Sequence, residues 1–334
     1  MTEVSDMTTV VDASLREQLL ERRDKLQVTA AMLGADAEFA RLLDEVNGAL
    51  ARLDNGSYGL CEVCHDPIEP ERLMADPLVR FCLGDLTPRQ QQALEEDLEL
   101  AVRIQRGLLP PSDFDAGVWQ VAYRYQPAGF VSGDYCDLIK TDDGQLYFIL
   151  GDVSGHGMAA SLLMSNLQAM FRALIPVGLS LDKLMERASR LFCENTLATH
   201  FATLVCGKAN AAGEVEICNA GHLPPLLIKQ QGACIKLDAT GLPIGLFCDE
   251  QFATNKLQLA TGDALLLYTD GLTETTDAGG AEYGVERLIK LLSPAPAASE
   301  PSELINSCVH SLAEFRGERV STDDLTVMAI KFAA

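Results

Sequence analysis

Four short segments in the C-terminal two thirds of the chain place aspartate beside glycine or beside a second aspartate. They are Ser132-Gly133-Asp134, Gly151-Asp152-Val153-Ser154-Gly155-His156-Gly157, Thr269-Asp270-Gly271 and Asp323-Asp324-Leu325-Thr326. Carboxylates are hard oxygen donors, and several of them brought together from separate strand ends are what a pair of divalent cations requires. Singly, each Asp-Gly is an ordinary turn pair whose acid serves the backbone. Their order and combination carry the reading.

The elements that must position these acids are legible as apolar runs. Gln145–Leu150 is a strand that ends at Gly151-Asp152, and Ala264–Thr269 is a strand that ends at Asp270-Gly271. Asp323-Asp324 stands just before the strand Leu325–Ile330, and Asp134 is expected in a third turn of the same kind. Further β-rich runs cover Val118–Gln126, Phe201–Cys206, Val215–Cys218, Leu226–Ile228 and Lys256–Leu259. Helical stretches are expected at about 157–174, 181–196, 283–292 and 302–315. Blocks of strands with grouped helices predict an α+β layered sandwich rather than alternating βαβ units.

Ahead of this lies a different region. Leu15, Leu19, Leu20 and Leu26, then Phe39, Leu42, Leu43, Val46, Leu50 and Leu53, recur at helical spacing, with Gly34 as an interruption. Asn55-Gly56 stops the pattern. Thr87-Pro88 then reads as an N-cap followed by proline at the first helical position, and the helix ends at Pro110-Pro111. The expected organisation is 1–86, a linker helix over 87–111, and 112–334; Leu292–Pro296 is expected as a surface connection.

The chain has 334 residues, 48% of them hydrophobic, and a net charge of −22. That charge repels nucleic acid and anionic membrane at long range, which disfavours a nonspecific nucleic-acid role. No run of about 18 apolar residues is present, and the N-terminal residues lack the basic start and apolar core of a secretory signal. A cytoplasmic location is therefore expected. Of the ten cysteines, Cys136, Cys193, Cys206, Cys218, Cys234, Cys248 and Cys308 are scattered singly and are expected as reduced, buried thiols.

The ordered set S-G-D-Y, G-D-V-S-G-H-G, N-A-G-H-L-P-P (Asn219 to Pro225), T-D-G-L-T-E and D-D-L-T resembles the SpoIIE/RsbU branch of PPM-type serine/threonine phosphatases, over about residues 98–332. The segment Ala101–Pro110 is similar to that family's linker. The resemblance implies an αββα sandwich with two Mn²⁺ or Mg²⁺ ions at one edge of the paired sheets. It implies that Asp152 bridges them, that the Val153 carbonyl adds an oxygen, that Asp134 serves the second ion, and that Asp270 and Asp323 hold the other; Asp324 occupies the neighbouring position, and the choice between the two acids stays open. The implied chemistry is in-line attack of an ionised water on phosphorus, with no side-chain nucleophile. Ser154 is accordingly a poor hydrolase nucleophile, because Asp152 stands where a nucleophile elbow needs glycine. His156 and His222 are read as structural rather than as proton donors.

Two departures matter. Ser132 replaces the family's usual first glycine, and Gln126–Val131 carries no arginine to hold phosphate as eukaryotic relatives do. Phosphate must then be held mainly by the ions, with specificity supplied by the protein partner.

Cys61-x2-Cys64 and Cys82, with seventeen residues between the second and third, have zinc-finger spacing. With Gly56–Cys64, Pro67-Ile68 and Pro70–Leu73 they resemble the DksA/TraR zinc-finger family over about 40–86. The fourth ligand position holds Asp85, an acceptable zinc ligand; His65 is an adjacent alternative, and a finger without metal is the other reading.

The reading is a metal-dependent serine/threonine phosphatase acting on a phosphoprotein, by resemblance an anti-sigma-factor antagonist, under control of the N-terminal module. A homodimer paired through the linker stripe Leu94, Leu98, Ala101, Ile104 and Leu108 is expected. The alternatives are an inactive phosphoprotein-binding scaffold, or a transcription modulator acting through the finger.

Overall fold

A computed structural model describes residues 15–16, 18–20, 22–24, 26–27, 37–85, 88–111, 114–196, 200–293, 300–317, 319, 321 and 323–334; the side chains of 37–39, 71, 74–75, 85 and 88–90 are not described. Gly34, Thr87 and residues 294–296 lie outside this set. The chain divides into two compact units, Met1–Ala101 and Val102–Ala334, so the division falls inside one helix, Pro88–Leu108.

The C-terminal unit is built on two five-stranded antiparallel sheets. Its strands are β1 (Trp119–Gln126), β2 (Asp134–Lys140), β3 (Leu146–Val153), β4 (Ala202–Ala209), β5 (Glu214–Ala220), β6 (Leu226–Ile228), β7 (Cys234–Lys236), β8 (Asn255–Gln258), β9 (Ala264–Tyr268) and β10 (Leu325–Phe332). One sheet has the order β1-β10-β9-β6-β7 and the other β2-β3-β4-β5-β8.

Side-chain alternation along buried strands makes each sheet two-faced. In β3, Leu146, Phe148 and Leu150 join the core between the sheets, while Tyr147 and Ile149 join the core under a helical layer. In β10, Met328, Ile330 and Phe332 face the inter-sheet core, and Leu325, Val327 and Ala329 face the opposite helices. The helices Gly157–Leu174 and Leu181–Asn195 cover one sheet through Met164, Leu167, Phe171, Leu184 and Phe192. The helices Val285–Leu292 and Pro301–Arg316 cover the other through Leu288, Leu292, Leu304 and Leu312. The result is the αββα sandwich.

Gly157–Val177 is long and apolar enough to cross a membrane by length and composition. Here its Ala160, Met164, Leu167 and Phe171 are buried in the core.

Two expectations need correction. Asp134 does not sit in a turn; it opens strand β2, a strand whose alternating pattern is masked because both of its faces are buried. Cys193 and Cys248 are not free thiols but form a disulfide, joining the end of the Leu181–Asn195 helix to the loop after Gly245. Tertiary proximity across 55 residues, invisible to spacing, brings them together. In the linker helix of the single chain, Leu94, Leu98, Ala101 and Leu108 are half-buried, Ile104 is 57% exposed and Gln105 is buried, which leaves the expected pairing between subunits untouched.

In the N-terminal unit, helical residues between Leu15 and Gln27 pack on the helix Ala37–Asn55 through Leu19, Leu26, Val46, Ala49 and Leu50. A second small core joins Leu15 to Cys61, Ile68, Leu73 and Cys82.

Candidate active site

The β2–β3 ladder sets the first part of the site. Its register makes Asp134 and Asp152 direct partners, and Asp152 in turn opposes Thr203 on β4. Asp134 is 1% exposed. Its Oδ2 accepts hydrogen bonds from the Thr269 hydroxyl at 3.0 Å and from the Thr326 hydroxyl. Its Oδ1 is buried without a hydrogen-bond partner. A buried carboxylate oxygen left bare is costly unless something positive completes it.

The other sheet supplies the remaining acids. β9 ends at Tyr268, and Thr269 caps a single helical turn, Asp270–Thr273, that presents Asp270. β10 begins at Leu325, directly after Asp323-Asp324. Close approach of these two ends requires Gly271: a Cβ there would stand 2.0 Å from the Asp324 carbonyl oxygen.

The acids raise one another. Burial, then the charges of Asp152, Asp324 and Asp270, push the Asp134 carboxyl well above its ordinary range. Desolvation by neighbouring atoms, then the Asp270 charge, push Asp323 up to about 8. Asp323 has an exposed surface at the rim of the site, which tempers the desolvation; the Asp270 charge acts in the same direction.

Other buried acids of this unit are handled differently. Asp137 is bound by the Arg172 guanidinium at 2.7 and 3.0 Å, and Asp263 by Lys229 at 2.8 Å. Among the described residues no lysine or arginine pairs with Asp134, Asp323 or Asp324 within ion-pair distance.

The backbone packs closely beside the acids. A Cβ on Gly133 would lie 3.2 Å from the Val153 carbonyl oxygen and 3.5 Å from Asp152 Oδ1, so glycine keeps that corner open. The donor set is all oxygen, which suits Mn²⁺ or Mg²⁺ and disfavours zinc. The residues present therefore fit a pair of hard divalent ions.

Asp323 and Asp324 part company. Asp324 Oδ1 accepts from the Ala128 amide at 2.8 Å and its Oδ2 from the Gly133 amide at 2.9 Å. Both of its oxygens hold the segment leading into Asp134, whereas Asp323 Oδ1 accepts from the Asp324 amide at 2.8 Å and its carboxyl feels the Asp270 charge.

Several contributors escaped the sequence reading. Thr269 and Thr326 seat Asp134 and were signalled only by lying beside acids, in T-D-G and D-L-T. Gln105 fixes Ser132, with no local signal for it. Ser154 Oγ accepts from the Phe201 amide at 3.0 Å while the Ser154 amide donates to the Phe201 carbonyl, so the residue joins loop to strand. His222 is buried and bridges the two sheets. Its Nδ1 lies 2.8 Å from the Thr203 hydroxyl on β4 and its Nε2 lies 3.1 Å from the Tyr268 carbonyl on β9. The carbonyl can only accept, so Nε2 carries the proton. Burial lowers the imidazole to about 4. His156 is the N-cap residue of the Gly157–Leu174 helix.

In the N-terminal unit, the sulfurs of Cys61, Cys64 and Cys82 lie within 4.8 Å of one another. The Cys61 amide donates to the Asp66 carbonyl at 2.9 Å and the His65 amide to the Cys61 carbonyl at 2.9 Å, which curls the chain around the first two sulfurs. His65 itself occupies the left-handed region, φ 61°. The side chain of Asp85 lies outside the described residues.

The family described as Stage II sporulation protein E (SpoIIE) matches residues 142–333, and the prokaryotic dksA/traR C4-type zinc finger matches residues 56–84. The chain is 31% identical over 221 residues to phosphoserine phosphatase RsbP of Bacillus subtilis (strain 168), covering 65% of this chain and 54% of RsbP. It is 26% identical over 245 residues to phosphoserine phosphatase RsbU of the same organism, covering 72% and 71%. The chain thus spans about half the length of RsbP. The SiaA-PP2C domain of Pseudomonas aeruginosa superposes with a TM-score of 0.64 at 21% identity, over 73% of this chain and 98% of that one, which supports the fold. A family match over more than half of the residues, reaching from before Asp152 through Asp323, assigns the chain: it belongs to the Stage II sporulation protein E (SpoIIE) family.

Proposed function

We propose that the protein is a metal-dependent phosphatase that hydrolyses phosphoserine or phosphothreonine on a regulatory protein. The observation that carries this reading is the pairing of Asp134 with Asp152 on one sheet, within reach of the charges of Asp270 and Asp324 from the other, with a buried Asp134 oxygen left without a partner. RsbP and RsbU, which the chain resembles, are named as phosphoserine phosphatases. An anti-sigma-factor antagonist is the proposed substrate.

In this reading Asp134, Asp152, Asp270, Asp323 and the Val153 carbonyl hold two Mn²⁺ or Mg²⁺ ions. Bound there, the ions would supply an ionised water near neutral pH and neutralise charge on the phosphoryl group. The chain's own residues contribute orientation. Thr269 and Thr326 fix one Asp134 oxygen and leave the other without a hydrogen-bond partner, available to an ion. Asp324 clamps the segment from Ala128 to Gly133. His222, uncharged, ties β4 to the end of β9, from which Asp270 projects. No side-chain nucleophile is needed.

The test is phosphate release from a phosphoserine peptide as Mn²⁺ is added, with Asp152→Asn as control. Release that depends on Mn²⁺ and is lost in the variant supports the reading. Peptide binding without release would make the protein a scaffold.

Cys61, Cys64 and Cys82, with Asp85 as fourth ligand, are proposed to hold one structural Zn²⁺ within an N-terminal regulatory module of residues 1–86, with 87–111 as linker. The clustered sulfurs support this. Elemental analysis should find about one zinc per chain, falling sharply in Cys82→Ser. A cytoplasmic homodimer completes the proposal; sedimentation of the full chain tests the dimer.

A further inference from the structure

Gln105 is 4% exposed on a helix whose next residue toward the N-terminus, Ile104, is 57% exposed. Burying a carboxamide in place of an apolar side chain costs free energy unless every polar atom is satisfied. Here they are. Gln105 Nε2 donates to the Ser132 carbonyl at 2.7 Å and to Ser161 Oγ at 2.9 Å, and Gln105 Oε1 accepts from the Ser132 amide at 3.0 Å. The orientation of the amide is forced: the Ser132 N–H must meet the oxygen and the Ser132 carbonyl must meet the nitrogen. The side chain reads both backbone groups of one peptide residue while anchoring to the helix that follows the Asp152 motif.

Ser132 is two residues before Asp134, and the restraints continue without a break. Ser132 Oγ accepts from the Asp134 amide at 3.0 Å, and Asp324 Oδ2 accepts from the intervening Gly133 amide at 2.9 Å. Gly133 has no side chain to pack, so its peptide depends on these external holds. A carboxylate in Gln105's place would set an acceptor against the Ser132 carbonyl; an apolar side chain of equal length would leave two backbone groups bare.

We propose that Gln105 is a positioning residue, a clamp on Ser132 that sets where the Asp134 carboxylate stands and thereby the affinity of the site for divalent metal. The proposal rests on the metal-site reading above. It is tested on the full chain with Gln105→Glu and with Gln105→Met, which keeps the length and packing. Hydrogen exchange of the metal-free proteins reports on residues 128–136, calorimetric titration with Mn²⁺ reports affinity, and p-nitrophenyl phosphate hydrolysis is followed against Mn²⁺ concentration.

The expected result is faster exchange confined to 128–136, Mn²⁺ affinity weakened about tenfold or more, and turnover that recovers to within a few-fold at saturating Mn²⁺. Wild-type Mn²⁺ affinity in either folded variant overturns the proposal, as does unchanged exchange at 128–136. Loss of folding in both variants overturns it in favour of a role in the core alone. A wild-type protein that binds Mn²⁺ but releases no phosphate sinks the phosphatase reading, while the affinity comparison still judges Gln105. A wild-type protein that binds no Mn²⁺ removes both.

Discussion

Asp134 and Asp152 face each other as direct partners across the β2–β3 ladder, so two carboxylates share one rung of a sheet at its edge. Like charges placed opposite each other on a sheet destabilise it. Here the acids of the second sheet add to that repulsion. The arrangement makes sense as a site whose fold is completed by bound cations.

One consequence is a rise in stability when an acid is neutralised without metal. In buffer free of Mn²⁺ and Mg²⁺, Asp152→Asn should melt about 2–4 °C above wild type, the shift that ~1 kcal/mol produces in a unit of this size. With Mn²⁺ present the order should reverse, since wild type gains the ligand's binding free energy and the variant does not. Thermal scans in the two buffers decide the matter, and a variant that melts lower in both would contradict the placement of Asp152.

Asp323 and Asp324 should differ in kind although they are neighbours. Asp324→Ala releases two backbone amides and should cost about 2–3 kcal/mol in denaturant unfolding, with or without metal. Asp323→Asn should leave metal-free unfolding close to wild type and weaken Mn²⁺ binding by roughly 10- to 100-fold. Equal stability losses in the two variants would remove the distinction.

His222 gives a pH signature. Its native pKa of about 4 lies below the ordinary histidine value of 6.5. The unfolded chain therefore binds a proton between those values that the folded chain does not, and stability from this group falls as pH drops from about 6.5 toward 4. His222→Gln should be less stable than wild type at neutral pH, and the gap should narrow on acidification through that window. A gap that stays constant from pH 7 to 4 would show that His222 does not remain neutral in the fold.

The Cys193–Cys248 disulfide should be visible as a pair protected from alkylation until reduction, in peptide mass spectra of the intact protein. Cys193→Ser should lower stability by roughly 2–4 kcal/mol against the oxidised protein. It should lower it little against the protein held in reductant. Quantitative alkylation of both thiols without reductant would refute the pairing. Disulfides are rare in the cytosol, so the same measurement on protein taken directly from cells also tests the proposed location.

Much of this protein could be read from residues alone, for identifiable reasons. Gln145–Leu150, Ala264–Thr269 and Leu325–Ile330 are near-continuous apolar runs, as strands buried on both faces must be. Each lies next to an acid near a strand end: Asp152 inside the last residues of β3, Asp270 just after β9, and Asp323-Asp324 just before β10. The layered sandwich followed from those local patterns, whereas the set of four acids came from the resemblance of the ordered motifs, and the strand that Asp134 opens was not legible. The cysteine spacing likewise placed three sulfurs that the fold brings within 4.8 Å.

What tertiary structure alone decided are contacts between segments distant in sequence. Asp134 meets Thr326 across 192 residues, and Gln105 meets Ser161 across 56. Cys193 finds Cys248 across 55. Asp324 is separated from Asp323 in role because its oxygens reach amides at 128 and 133. A local pattern records which face of an element is apolar, since burial recurs with the period of the helix or strand. It does not record which polar group will stand opposite another once the faces have closed, because a hydrogen bond is specified by the packed geometry of both partners.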